Sequence, residues 1–509
     1  MRKNTLIKGA AILMAANLTT RFMGFYYRIY MSRAIGNEGM GLYQLIMPIY
    51  MLAWSITSSG LTTTVSKLTA EENAKREFGN TKRILYISML ISLTISLSLS
   101  CLLFISADFT AEYIVKDVRT AMPLRILSLC FPFMACGSCI RGSFMGMQKQ
   151  LFPALSQVLE QAVRIIAIFA LSSFFLPYGL EYACGAAVTG IVLGEFFSFM
   201  LVFIVVKYFQ NENKEKRPSM SYSKALSVIL AGAVPLTLAR VTGSMLSAIE
   251  NILIPQRLML YGGTENALAE FGKLSGQVMP LIQLPSAFLM AISVTLVPAL
   301  SETQATGSTK KTAYVINKSI RFTIIIGLGF ALLFSAFPSE ICNLIYAQSE
   351  LGVLLMKLSV ICPFLYMQIT LTGILNGVGS HSFIFRTNLI SSVINLFFIY
   401  FIMPKAGIDA FVTGITISLI ATVSLSLKEV CGTVKMSISI VKDFLTPALC
   451  AVISFVGIKW VTYSHNLSIS GFAVYSILFS GFYLLLLTVF GVITKDDILL
   501  FIPDRIKKS

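Results

Sequence analysis

About fourteen runs of predominantly apolar residues, most of them 20 residues or longer, follow one another along this 509-residue chain. Inside a bilayer no water satisfies backbone N–H and C=O groups, so a spanning segment is either an α-helix or part of a closed barrel. Runs of about 20 residues suit the helix, which rises 1.5 Å per residue across a hydrocarbon core of roughly 30 Å, whereas barrel strands alternate over about ten. The expected fold class is an all-α polytopic membrane protein. Its spans fall near 5–31, 41–65, 82–106, 121–141, 154–176, 183–206, 225–254, 277–300, 319–337, 354–376, 384–403, 407–427, 443–463 and 470–493. A mean hydropathy of +0.78 and a charged fraction of 13% agree with this class.

A net charge of +16 would point to nucleic acid in a soluble protein, but the lysines and arginines sort by loop. With the N-terminus in the cytoplasm, alternate loops and both ends hold 27 of them and the opposite loops hold 8. The positive-inside rule then places both termini in the cytoplasm, and the expected location is the cell membrane. The charge is topological, and no nucleic-acid partner is expected. Arg2-Lys3 and the apolar run after them resemble a signal peptide, but Arg21 interrupts the run, so the segment reads as a retained first span. Cys136 and Cys139 lie at helical spacing in an apolar span, with only His381 and His465 in the chain to assist them, so no metal and no disulfide framework are expected. Phosphate-cradling loops and catalytic constellations are absent from the sequence, so no enzyme activity and no bound cofactor are expected.

The five remaining positive residues, Arg21, Arg28, Arg125, Arg164 and Arg240, fall within spans. An arginine at mid-bilayer costs roughly 2.5 to 3.5 kcal/mol even on insertion scales, so intramembrane arginines need a role. Arg125 reads as a residue that snorkels to the interface. Arg21 and Arg28 share the first span, in Thr20-Arg21-Phe-Met-Gly24-Phe25-Tyr-Tyr-Arg28, and are candidates to hold an anion.

An internal repeat shapes the rest. Gly142-Ser-Phe-Met-Gly146 recurs 231 positions later as Gly373-Ile-Leu-Asn-Gly377, and Ala186-Ala-Val-Thr-Gly190 is answered by Ala410-Phe-Val-Thr-Gly414. A fainter echo pairs Val65-Ser-Lys-Leu-Thr-Ala-Glu71 with Val297-Pro-Ala-Leu-Ser-Glu302. Each match joins a span to one six later, an even number, so the copies are parallel repeats about an axis along the membrane normal. The expected organisation is a six-helix lobe over 1–210, a cytoplasmic linker over 211–224, and a second six-helix lobe over 225–430 around a shared central cavity. Two additional helices and a cytoplasmic tail follow over 431–509.

Polar stripes mark the candidate site. Gln157, Glu160, Gln161 and Arg164 fall at i, i+3, i+4 and i+7 on the fifth span, and the repeat offset carries them onto Asn388, Ser391, Ser392 and Asn395. Asn17, Arg21, Gly24 and Arg28 share a face of the first span, as do Arg240, Ser244, Ser247 and Asn251 of the seventh. Two readings stand side by side. The stripes either line a cavity or bind helices together, and an ion pair between Glu160 and Arg164 would account for both residues. Five span arginines against Glu160, Glu195 and Glu250 leave the interior net positive, which suits a phosphate or diphosphate better than a cation.

Lys8-Gly-Ala-Ala-Ile12, Thr20-Arg21 through Arg28-Ile29, Arg33-Ala-Ile-Gly36-Asn-Glu-Gly39-Met-Gly41-Leu-Tyr43-Gln44, Pro48-Ile-Tyr50 and Val65-Ser66-Lys67-Leu68 resemble the stage V sporulation protein B family. The resemblance continues through Ile254-Pro255-Gln-Arg257-Leu258 and Leu296-Val-Pro298-Ala-Leu300-Ser301-Glu302, and is loose over the last hundred residues. That family sits among the polysaccharide and lipid II flippase-like exporters of the multidrug/oligosaccharidyl-lipid/polysaccharide superfamily. The resemblance implies a flippase that moves an undecaprenyl-diphosphate-linked peptidoglycan precursor or related oligosaccharide to the outer leaflet by alternating access, for spore cortex or cell-wall synthesis. It implies fourteen spans, with the two extra helices shaping a groove for the polyprenyl tail, and membrane lipids and envelope or spore-wall synthesis enzymes as candidate partners. Arg21 matches an arginine that the lipid II flippases carry before the Gly-Phe of the first span. Their second arginine stands where this chain has Tyr27, one residue before Arg28, and their eighth-span arginine has no counterpart between Gln277 and Pro285.

On this reading Arg21, Arg28, Arg164 and Arg240 hold the diphosphate while the lobes rock. An inside-negative membrane potential favours outward movement of an anion by about 2.3 kcal/mol per charge per 100 mV. An ion gradient acting through Glu160 or Glu250 is a second candidate driving force. Two alternatives follow from the same residues: a cation-coupled multidrug exporter, disfavoured by the two extra spans and the arginines, and a non-transporting scaffold of an envelope or sporulation complex, disfavoured by the repeat.

Overall fold

Helix begins at Arg2 and runs on through both of the first two expected spans. The computed structural model describes residues 2–212, 219–262, 264–290, 309–434, 439, 441–462 and 469–493. Helix α1 covers Arg2–Trp54, and its continuity is broken at one residue, Gly36, with φ 68° and ψ −173°. That region of backbone space is open essentially to glycine alone, so Gly36 turns the chain between the two spans where a loop is expected. A π turn at Ser55–Ser59 then leads into α2 (Gly60–Ala74). Beyond these come α3 (Phe78–Ile105), α4 (Phe131–Gly146), α5 (Leu151–Phe175), α6 (Leu180–Glu212), α7 (Tyr222–Gly262) and α8 (Thr264–Phe271). The later helices are α9 (Thr309–Ala336), α10 (Cys362–Val378), α11 (His381–Phe397), α12 (Ile408–Val434), α13 (Thr446–Thr462) and α14 (Ile469–Val489).

Among the described residues nine helices are long and apolar enough to cross a membrane, or eleven when each of two bent pairs counts as one span. Fourteen is not reached on this count. Ala11–Ala74 counts once although its 64 residues are broken at Gly36, and Val474–Val489 is too short to qualify. Residues 291–300 of the expected eighth span lie outside the described residues, as do the Leu296–Glu302 segment of the resemblance, linker residues 213–218 and the tail from 494.

The chain divides into two compact units, residues 1–277 with 399–407, and residues 278–398 with 408–509. In the first, Leu61, Ile84, Ile140, Phe144, Val202 and Ile229 form an apolar cluster drawn from α2, α3, α4, α6 and α7. Helices α4 and α2 approach until their backbones nearly touch. A Cβ placed on Gly142 would stand 2.6 Å from the carbonyl oxygen of Thr62, and one on Gly146 would stand 2.4 Å from that of Ser66. Lipid tails are as apolar as leucine, so such close van der Waals packing at small residues drives helix association here. Helix α7, expected to open the second lobe, groups with the first unit. Gly60 faces Ala233 O and Thr237 Oγ1 too closely for any Cβ, and the Ser55 and Ser244 hydroxyls lie 2.5 Å apart.

In the second unit, Ile320, Met367, Leu371, Ile374, Val423 and Val430 bring α9, α10 and α12 together. These are the ninth, tenth and twelfth spans, counterparts of the third, fourth and sixth that meet in the first unit. The correspondence extends to helix shape. Val118–Ser128 bends by 46° into α4, and Leu351–Ser359 bends by 54° into α10. Each second half opens with a proline, Pro132 and Pro363, 231 residues apart, where the missing N–H is tolerated in the first turn. Helices α13 and α14 pack on α9 through Cys450, Tyr483 and Leu487. Arg321 adds donors from Nε (2.9 Å) and Nη2 (2.7 Å) to Asp443 Oδ1.

Candidate functional site

Five helices of the first unit line a half-open cavity of about 380 Å³ with a mostly polar wall. Helix α1 contributes Asn17, Thr20 and Trp54, α2 contributes Thr62, and α4 contributes Ser138, Arg141 and Met145. Helix α5 adds Gln157, Glu160 and Gln161, the first three members of its stripe, and α6 adds Glu195. The two acids come together because α6 lays glycines against α5: a Cβ on Gly194 would stand 2.8 Å from Glu160 O, and one on Gly190 3.2 Å from Arg164 O.

The charges of this site are largely engaged with one another. Arg164 Nη2 donates to Glu160 Oε1 at 2.9 Å, one turn along α5, with the two side chains 15% and 14% exposed. Arg141 donates from Nη1 to Ser198 Oγ and from Nη2 to Ser138 Oγ, both at 3.0 Å. Glu195 is only 3% exposed. Its Oε1 accepts from the Tyr50 hydroxyl at 2.7 Å, while its Oε2 has no hydrogen-bond partner. Gln157 Oε1 is likewise buried without a partner. Two arginines and two glutamates make the cavity and its rim formally neutral, and the groups left unsatisfied on its wall are acceptors.

The sequence-predicted residues separate into groups. Asn17, Gln157, Glu160 and Gln161 meet at the cavity, whereas Arg21, Arg28, Arg164 and Arg240 are not on its wall. Arg21 follows Asn17 by one turn of α1. It and Arg28 are half-buried on a face where a Cβ at the intervening Gly24 would meet nothing within 4 Å. Arg164 is turned to its glutamate, the ion-pair reading of the stripe. Arg240 is exposed on α7. Its stripe partners Ser244, Ser247 and Asn251 line a second cavity of about 400 Å³ with Gln44, Met47, Pro48 and Met51, and Asn251 Nδ2 donates to Ser247 O at 2.8 Å. Glu250 is half-buried and is not on that wall.

In the second unit Asn388 is exposed, and the Ser391 hydroxyl lies 2.6 Å from that of Ser418, fastening α11 to α12. Ser392 and Asn395 are half-buried. Arg125 pairs with Asp108 at an exposed position, as a snorkelling residue would. Among the described residues, no three His, Cys, Asp or Glu side chains come close enough to hold a metal ion.

Arg141, Tyr50 and Trp54 escape sequence reasoning, and Glu195 enters it only in the balance of span charges. Arg141 is expected in a loop, because the hydropathy of the fourth span falls off at that residue; the helix runs on to Gly146 and keeps the guanidinium on its inner face. Ser138, Arg141 and Met145 at i, i+3 and i+7 were the available signal. Glu195 is the lone acid of the sixth span, itself a sign of function. Tyr50 and Trp54 carry no local signal beyond lying one turn apart before a polar run.

The family described as "Polysaccharide biosynthesis protein" matches residues 6–304. The chain is 30% identical to stage V sporulation protein B of Bacillus subtilis (strain 168), over 98% of each protein. It is 24% identical to the lipid II flippase MurJ of the same organism, over 77% of this chain and 76% of that one. Among solved structures, a lipid II flippase MurJ in an inward closed conformation superposes with a TM-score of 0.74 at 16% identity, covering 94% of this chain and 98% of that one. An inward-facing multidrug resistance MATE family transporter of the MOP superfamily reaches 0.62 at 14% identity, covering 84% and 99%. The structural likenesses show a shared fold, and the sequence likenesses run the length of the chain: it belongs to the polysaccharide biosynthesis protein family, in the stage V sporulation protein B group.

Proposed function

We propose that this protein is a flippase that moves an undecaprenyl-diphosphate-linked peptidoglycan precursor or related oligosaccharide across the cytoplasmic membrane by alternating access, for spore cortex or cell-wall synthesis. Both termini lie in the cytoplasm on this reading. The observation that carries it is the pair Arg21 and Arg28 on one face of the first membrane helix, flanking the open position at Gly24. Guanidinium groups match phosphate oxygens with parallel N–H donors, and two of them about two turns apart suit a diphosphate better than a single phosphate. Arg164, held by Glu160, acts on this reading as the support of the stripe rather than as a ligand. The membrane potential supplies the driving force, favouring outward transfer of the anionic head by about 2.3 kcal/mol per charge per 100 mV.

The test is native mass spectrometry of protein purified in mild detergent, comparing wild type with the Arg21→Ala, Arg28→Ala double variant. Wild type should retain an undecaprenyl-diphosphate lipid whose mass identifies the sugar, and the folded variant should lose it. Equal retention in both, or no such lipid in either, would overturn the assignment of the arginines.

A further inference from the structure

We propose that the 380 Å³ cavity of the first unit is a saccharide subsite that seats a sugar ring, with the Trp54 indole as apolar platform and Glu195, Gln157, Gln161 and Glu160 as partners for the ring hydroxyls. This rests on, and deepens, the reading of the protein as a carrier of lipid-linked oligosaccharide.

The unsatisfied chemistry of the wall selects the ligand. Glu195 Oε2 and Gln157 Oε1 are buried acceptors with no partner, and a buried acceptor calls for a donor. The cationic groups nearby are already engaged, Arg141 with two serine hydroxyls and Arg164 with Glu160. A diphosphate entering this cavity would meet carboxylates and orphan acceptors. A polyhydroxylated neutral ligand brings the donors they lack.

Shape and position agree. Only two tryptophans occur in the chain. Trp460 is 82% exposed, while Trp54 forms part of this wall, and a flat indole among amides and carboxylates offers a sugar both a face for its C–H groups and partners for its hydroxyls. A π turn follows Trp54 and breaks the regular helix at this point. The volume holds about a dozen waters at roughly 30 Å³ each, enough for a sugar ring to displace. Asn17 on the cavity wall precedes Arg21 by four residues, about 6 Å along α1. The sugar and the diphosphate it is bonded to can therefore occupy neighbouring stretches of one helix face.

The experiment uses Trp54 as its own reporter. In full-length protein carrying Trp460→Phe, purified in detergent, Trp54 emission is followed while N-acetylglucosamine and diacetylchitobiose are added, with sodium and choline chloride compared at fixed pH. A saturable sugar-dependent change that is the same in either salt, and whose half-saturation weakens about tenfold in a folded Gln157→Leu variant, is expected. A response to sodium but not to sugar would make the cavity a cation site and overturn the proposal. So would no response at all, or a sugar response unchanged by Gln157→Leu. Sugar-free undecaprenyl diphosphate tests the underlying reading separately. Its binding should depend on Arg21 and not on Gln157, so loss of either result leaves the other standing.

Discussion

Removing Glu160 and Arg164 together should destabilise the protein by far less than the sum of the two single effects. At 2.9 Å and an effective dielectric of about 20, the pair attracts by roughly 6 kcal/mol, and with both side chains about 15% exposed little of this is screened. Desolvation of the two charges offsets about half of that attraction. Breaking it leaves one buried charge uncompensated, at a cost of about 3–5 kcal/mol. Arg164 Nε already lacks a hydrogen-bond partner. Glu160→Gln and Arg164→Gln should therefore each cost about 3 kcal/mol, and the double variant about the same as either single, giving a coupling of about 3 kcal/mol. The assay is loss of helical circular dichroism on titrating sodium dodecyl sulfate into detergent-solubilised protein, with the four proteins forming a double-mutant cycle. Additive single effects would refute the closed pair and return Arg164 to the set of arginines free to hold an anion.

Two further outcomes follow from local geometry. Gly36→Ala should lower stability by about 1–3 kcal/mol in the same titration, because φ 68° with ψ −173° excludes a Cβ, while Gly24→Ala, which meets nothing within 4 Å, should leave it unchanged or slightly higher. Asp443→Asn, which weakens the Arg321 anchor at a side chain only 6% exposed, should raise amide hydrogen exchange in Thr446–Thr462 and Ile469–Val489 while leaving α4–α6 at wild-type rates.

The parts of this molecule that could be read from its sequence are those governed by period and repetition. The stripe of Gln157, Glu160 and Gln161 was visible because a 3.6-residue period places those residues on one face whatever surrounds them. The 231-residue offset was visible in glycines, and the paired bends at Pro132 and Pro363 show that it also governs helix shape. Hydropathy could not see where a helix continues past its apolar stretch. Asn37 and Glu38 look like loop residues, yet they stay helical. The Asn37 amide oxygen accepts from Gln277 Nε2 at 2.7 Å and Glu38 from Arg119 at 2.7 Å, partners supplied by distant parts of the chain. Arg141 was missed for the same reason. Its polar environment is made by Ser138 and Ser198, and only the packed structure brings Ser198 to it.

The two copies of the repeat differ most where they would be expected to act. On α5 the stripe carries a glutamate and an arginine and opens onto a cavity; on α11 the equivalent positions are Asn388, Ser391, Ser392 and Asn395, and Ser391 is spent on fastening α12. Ionisable groups inside a membrane are costly, and for this pair of equivalent helices the cost is confined to the first unit. The first unit then holds two polar surfaces side by side: an acceptor-rich cavity that takes Asn17 and Thr20 from α1, and on the same helix the arginine face that begins at Arg21. A ligand with hydroxyls at one end and a diphosphate beside them matches that order, whereas a multidrug exporter selecting organic cations would gain nothing from Arg21 and Arg28. The division predicts that charge changes on α11, such as Asn388→Asp, perturb lipid retention less than Arg21→Ala, even though both residues lie on polar stripes of membrane helices.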